Sequence, residues 1–149
     1  MSSKNVLPYA TTLLVRDHCI CLHVQRAARA LARRFDEAFG PLGLTNGQFS
    51  LLMSLNRPEP PPMSPVANLL AMDRTTLTAA LKPLERRGLV RVQMDQNDRR
   101  SRILILTAKG RDLLARAVPI WQSTHAEIEA QLGGITPDEF RASLLAVSY

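Results

Sequence analysis

The sequence predicts a mainly α fold with one small β-hairpin, and three observations carry that prediction. Apolar residues recur at helical spacing in several segments that open on a capping residue and close on glycine or proline. Two short runs rich in Val, Ile and Leu, at 89–94 and 101–107, flank the polar turn Asp95-Gln96-Asn97-Asp98. Charge is also concentrated. Residues 74–111 hold ten basic and three acidic side chains, a net +7, whereas residues 1–73 carry +2 and residues 112–149 carry −3. At 149 residues and 46% hydrophobic content, the chain suits one domain with a single core.

The first helix is expected over about Asp17 to Phe39. Ile20, Val24, Ala27, Leu31, Phe35 and Ala38 recur in steps of three and four, Arg26, Arg29, Arg33 and Arg34 take the remaining face, and Gly40-Pro41 ends it. The preceding "VLPYATTLLV" has a weak secretory look, but it lacks a clear small-residue cleavage site and runs directly into Arg16 and Asp17. A cytoplasmic location is therefore expected. No stretch approaches the ~18–20 apolar residues that span a bilayer.

"LTNGQF" is a helix start: Thr45 and Gln48 suit a capping box, with Leu44 and Phe49 at the staple positions. Four prolines within "RPEPPPM" break that helix into an extended loop. Ser64 as N-cap and Pro65 at the first helical position restart the chain. Asp73 can cap the next helix, whose inward stripe is Leu77, Leu81 and Leu84, and Gly88 followed by Leu89 can end it. Pro83 conflicts with that helix and predicts a kink. After the hairpin, Thr107 can cap a long helix to about Leu132, kinked near Pro119. "GGI" interrupts the chain, and Thr136-Pro137-Asp138-Glu139 starts a last helix bearing Phe140, Leu144 and Val147.

Three short helices and a basic hairpin, in that order, describe a winged helix-turn-helix. A +7 block implies a polyanion partner, most simply nucleic acid or an anionic membrane. The third helix presents Thr75, Thr76 and Thr78, small groups that permit close approach to a major groove. Arg74 can reach a base edge or phosphate, and Lys82 a phosphate. Arg99, Arg100 and Arg102 at the hairpin tip suit a wing entering the adjacent minor groove, with Asp98 able to orient one of them through a bidentate salt bridge. Ser64 and Asn68, on the helix before, complete the candidate DNA contacts.

The run "LTNGQFSLL … VANLLAMDRTTLTAALKPLERRGLVRVQMDQNDRRSRILILTAKGRDLL" resembles the MarR (multiple-antibiotic-resistance regulator) family over about residues 18 to 148. "LERRGLVRV", "DRRSRILILTAKG" and "LTNGQF" are its most specific pieces. The resemblance implies one MarR-like domain over 1–149: a DNA-binding lobe at about 44–111 and dimerisation helices at about 10–40 and 112–149. It also implies a homodimer on a pseudo-palindromic operator, usually a repressor, released by a small ligand or by oxidation. The chain departs from the common pattern in its proline loop and in Pro83.

For the signal, a pocket between the dimerisation helices and the DNA-binding lobe is expected. Its candidate lining is His23, Arg26, Phe49, Met53 and Trp121, with Arg26 placed to meet the carboxylate of the aromatic acids that the resemblance implies. The alternative is oxidant sensing at Cys19, near a helix start that can lower a thiol pKa. Cys19 falls where the hydroperoxide-sensing branch of the family keeps its reactive thiol, although His23 stands in place of the usual tyrosine. Cys21, two residues on, is expected on the opposite side of the helix. The two cysteines and scattered histidines make neither a disulfide framework nor a metal site. No cofactor is expected. No glycine-rich phosphate loop or nucleophile–base set supports an enzyme, and Asp36-Glu37 and Asp138-Glu139 suit helix surface and helix start. A winged helix that binds only proteins would have little use for three arginines at its tip.

Overall fold

Local hydrogen bonding sets where most helices begin. In the computed structural model, which describes residues 6–148, the chain runs α1 (Tyr9–His18), α2 (Ile20–Phe39), a 3-10 turn (Gly40–Leu42), α3 (Asn46–Ser54), α4 (Met63–Leu69), α5 (Arg74–Arg86), β1 (Val90–Met94), β2 (Arg102–Leu106), α6 (Ala108–Ala130) and α7 (Pro137–Ala146). Thr45 accepts from the Gln48 N–H at 3.2 Å while its own N–H donates to Gln48 Oε1 at 3.1 Å, closing the expected capping box. Thr136 and Glu139 make the same reciprocal pair. Asp73 accepts from the Thr76 N–H at 2.7 Å, and Thr107 from the Gly110 N–H at 3.0 Å.

The end of α5 is equally explicit. Gly88, at φ +71°, donates to the Glu85 carbonyl, and Leu89 donates to the Leu84 carbonyl at 3.0 Å. That pair of bonds is a Schellman turn, and its two leucines are buried together. Pro83 sits in the last turn of α5, so only one helical bond is forfeited, and the helix continues to Arg86.

Three expectations need correction. First, the N-terminal helical run starts earlier and is broken: α1 precedes α2, and Cys19, at ψ 111°, separates them. No glycine or proline marks the break. Side chains there take over backbone groups: His18 Nδ1 donates to the Leu14 carbonyl at 2.9 Å, and Cys19 Sγ accepts from the Leu22 N–H at 3.5 Å. Second, α4 starts at Met63 with Pro62 at its N-cap, so Ser64 is not the cap. The cause is tertiary: the Leu104 N–H donates to the Pro61 carbonyl at 2.8 Å, and Pro62 forms a bridge to Ile103, which ties the proline loop to the hairpin. Third, Val147 falls beyond α7 and is exposed.

β1 and β2 pair antiparallel, with Val90 opposite Leu106 and Met94 opposite Arg102. Leu77, Leu81 and Leu84 of α5 join Leu104 of β2 and Leu51 and Leu52 of α3 in one core, which Phe39 and Ala117 extend to the long helices. Thr107 fixes the junction of hairpin and α6. Its hydroxyl donates to the Gly88 carbonyl at 2.7 Å while accepting from Gly110. Gly110 is buried there because α6 passes directly over the Leu89 carbonyl. Within the protomer, only the C-terminal half of the α2 apolar stripe, Phe35 and Phe39, is buried; Ile20 and Val24 are exposed.

Candidate nucleic-acid interface

The cap on α5 decides which face it offers. With Leu77, Leu81 and Leu84 committed inward, Arg74, Thr75, Thr78, Ala79 and Lys82 share one shallow exposed groove. The Thr78 hydroxyl donates to the Arg74 carbonyl at 2.8 Å, which leaves its oxygen free to accept. Thr76 is exposed but lies outside that groove, and its N–H is held by Asp73. That hydrogen bond, with a further one from the Thr76 side chain, holds the Asp73 carboxyl below its usual range.

A second cleft of about 350 Å³ lies between α5 and the hairpin. It brings Arg74 and Thr78 together with Arg100 and Arg102, as the sequence could only suggest, and adds the carboxylate of Glu85. Sequence reasoning missed Glu85, although it lies seven residues after Thr78 on one helix face. Ser64 and Asn68 are exposed on α4 and line neither groove.

The wing tip is ordered by its own backbone. Asp95 Oδ1 accepts from the Asn97 N–H at 2.9 Å, and Asp98 Oδ1 from the Arg100 N–H at 3.0 Å. The expected salt bridge from Asp98 to a wing arginine is therefore absent among the described residues, because that carboxylate is spent on a local turn. Arg102 donates to the carbonyls of Arg99 and Ser101, both at 3.3 Å, and Arg99, Arg100 and Arg102 are all exposed at the tip.

One contrast organises the surface. Among the described residues, the ion pairs of the chain join Arg16 to Asp17, Arg34 to Glu127, His125 to Glu129, and Arg141 to Glu129 and Asp138. Every one lies outside residues 74–111, so among the described residues none of the ten basic side chains in that segment has a carboxylate within 4.0 Å. Their charge remains available to an outside anion.

The candidate ligand residues divide. Phe49, Met53 and Trp121 line one pocket of about 460 Å³ between α3 and α6. His23 lies instead in a groove between α2 and α7, and Arg26 lines neither, so the set expected to converge does not. The reason is the α2 register: His23 donates Nδ1 to the Cys19 carbonyl at 2.7 Å, on the exposed half of the helix. His125 was missed as part of the aromatic column. Phe39, Phe49, Trp121 and His125 stack in succession, with centroids 4.7, 6.5 and 4.6 Å apart. Cys19 is half-buried and Cys21 exposed. Among the described residues no group of three His, Cys, Asp or Glu could hold a metal, and no helix is long and apolar enough to cross a membrane.

Helices α3 to α5 followed by the β1–β2 hairpin define a winged helix-turn-helix protein of the transcription-regulator class. The MarR family pattern matches residues 44–101. The transcriptional regulator HosA of Escherichia coli O111:H- is 37% identical over 93 residues, 61% of this chain and 67% of that one. Among solved structures, the Mycobacterium tuberculosis transcriptional regulator MosR in complex with DNA is 39% identical at TM-score 0.81, covering 88% of this chain and 94% of that one. The transcriptional repressor CouR, bound to a 23-mer DNA duplex, is 32% identical at TM-score 0.72, covering 89% and 91%. The chain belongs to the MarR family of transcriptional regulators.

Proposed function

We propose that this regulator acts in the cytoplasm as a homodimer on pseudo-palindromic double-stranded DNA, and that it represses until a small molecule releases it. The observation that carries the reading is the block of ten cations, without carboxylate partners among the described residues, on α5, the hairpin, the segments joining them and the first turn of α6. In this reading residues 44–111 form the DNA-binding lobe. Arg74, Thr75 and Thr78 read the major groove, and Lys82 meets phosphate. Arg99, Arg100 and Arg102 enter the flanking minor groove. Ser64, Asn68 and Thr76, all exposed, are further candidate DNA contacts, and Asp98 holds the wing turn through the Arg100 N–H. The relatives captured on DNA, MosR and CouR, favour the same use of this fold.

Residues 10–40 and 112–149 supply the dimer contact in this reading. Support comes from apolar side chains that the protomer leaves exposed: Leu14, Val15 and Ile20 at one end, Leu145 and Val147 at the other. A dimer sets its two α5 helices about 34 Å apart, one turn of DNA. A ligand at Phe49, Met53 and Trp121 lies between the lobe and α6, where it can change that spacing. A second reading, release through oxidation at Cys19, is favoured by the place of that thiol at the α1–α2 break. Peroxide treatment followed by DNA titration separates the two.

The test is a titration of the upstream region of the protein's own gene against random duplex of equal length, across salt. Some 8–12 phosphate contacts predict a loss of orders of magnitude in affinity between low and moderate salt, with a preference for the upstream fragment at every salt concentration. Equal binding to both duplexes at physiological salt would remove the sequence-specific reading.

A further inference from the structure

We propose that the pocket between α3 and α6 takes a neutral, planar aromatic molecule and discriminates against the corresponding carboxylate. This rests on the reading of that pocket as the effector site. Its walls are Phe49, Met53, Leu69, Leu70, Val118 and Trp121, and its volume of about 460 Å³ falls within the ~300–1,000 Å³ typical of small-molecule sites. The remaining lining is two serines, Ser50 and Ser54. Ser54 is buried and its hydroxyl donates to the Leu51 carbonyl at 2.6 Å, so Ser50 is the one hydroxyl there whose proton is not committed to a backbone bond among the described residues. Among the described residues, no lysine, arginine, histidine, aspartate or glutamate lines the pocket.

The charged groups nearby are engaged elsewhere. Arg57 donates Nε to the Ser54 carbonyl at 3.0 Å and does not line the pocket. His125 stacks on Trp121 at 4.6 Å, with its Nδ1 3.4 Å from Glu129 Oε1, whose carboxylate also takes Arg141. Arg34 is held by Glu127 and Gln131, and Arg26 is absent from the lining. A carboxylate entering this pocket sheds its water and gains no counter-charge, the costliest kind of burial. A neutral ring loses little water and gains apolar contact with the Phe49, Met53, Leu69, Leu70, Val118 and Trp121 walls. One donor or acceptor on the ring can use Ser50.

A matched pair tests this on the full-length protein: 2-naphthamide and 2-naphthoate, titrated by calorimetry at neutral pH. The amide is expected to bind at least about tenfold tighter, and naphthoate is expected to gain affinity as pH falls and the acid becomes neutral. Met53 is 39% exposed, so a lysine there can place its ammonium at the pocket mouth while its stem covers the wall. Met53→Lys is expected to raise naphthoate affinity about tenfold or more at neutral pH, and Met53→Gln to leave the preference as it was. Naphthoate binding the unmodified protein as tightly as the amide overturns the neutral-ligand proposal and leaves the effector site standing. A naphthoate affinity unmoved by Met53→Lys likewise overturns it. Binding of neither compound overturns the effector-site reading as well.

Discussion

Gly110→Ala tests the joint between the DNA-binding lobe and the long helix α6. A Cβ built at this position is driven onto the Leu89 carbonyl oxygen and lies 2.8 Å from Leu106 Cδ1. The first contact is with backbone, so no side-chain rotation relieves it, and α6 must lift from β1 by about 1 Å to restore ordinary contact. Overpacking of this kind costs about 1–3 kcal/mol. Lifting the turn also stretches the 2.7 Å bond from Thr107 to the Gly88 carbonyl, worth about 1 kcal/mol. Alanine recovers up to about 1 kcal/mol of helix propensity. The net is a loss of about 1–3 kcal/mol, or roughly 3–10 °C in Tm for a chain of this size. Thermal unfolding followed by circular dichroism measures it. Gly133→Ala is the internal control: its Cβ meets nothing within 4 Å, so Tm is expected to hold or rise slightly. An unchanged or higher Tm for Gly110→Ala would refute the packing argument.

Arg100→Ala removes one exposed tip cation per wing, two per dimer, and is expected to flatten the salt dependence of DNA binding by about two log units of affinity per log unit of salt; an unchanged slope would take Arg100 off the DNA. Asp73→Ala should lower Tm at neutral pH. Because the Thr76 N–H depresses the folded-state pKa of Asp73, its contribution is present above the ordinary carboxylate range and disappears as pH falls through the folded value, so the gap between variant and parent should close in acid. Ala71 holds φ +52° in the turn between α4 and α5, a conformation costing a non-glycine about 1–2 kcal/mol. Ala71→Gly relieves that strain and gives back part of it through a freer unfolded chain, so a rise of about 0.5–1 kcal/mol in urea-melt stability is expected.

How much of this was legible in the sequence depends on how local the cause is. Thr45 with Gln48, Asp73, Thr107 and Thr136 announce helix starts because cap and acceptor lie within three residues. Gly88 and Leu89 announce an end for the same reason. Ser64 misled because the start of α4 is set by Pro61 and Pro62 pairing with a strand some forty residues away. The break at Cys19 carries no breaker residue, and α1 buries nothing within the protomer, so neither leaves the usual amphipathic imprint against a core. The basic block was readable from composition, yet its lack of carboxylate partners was not: Asp98 looked like a partner for arginine and serves the backbone. Arg26 shares a helix with the core-facing Phe35, nine residues on, but the apolar period alone does not fix whether its side chain reaches the pocket or faces outward.

Hydroxyl-radical footprinting of the upstream region is the most direct test that two copies of this chain read one duplex. Two protected blocks related by a dyad, with centres about 10–10.5 base pairs apart and flanking minor-groove protection that disappears with Arg99, Arg100 and Arg102 replaced together by alanine, are the expected result. A single unsymmetrical block, or uniform protection that ignores sequence, would contradict it.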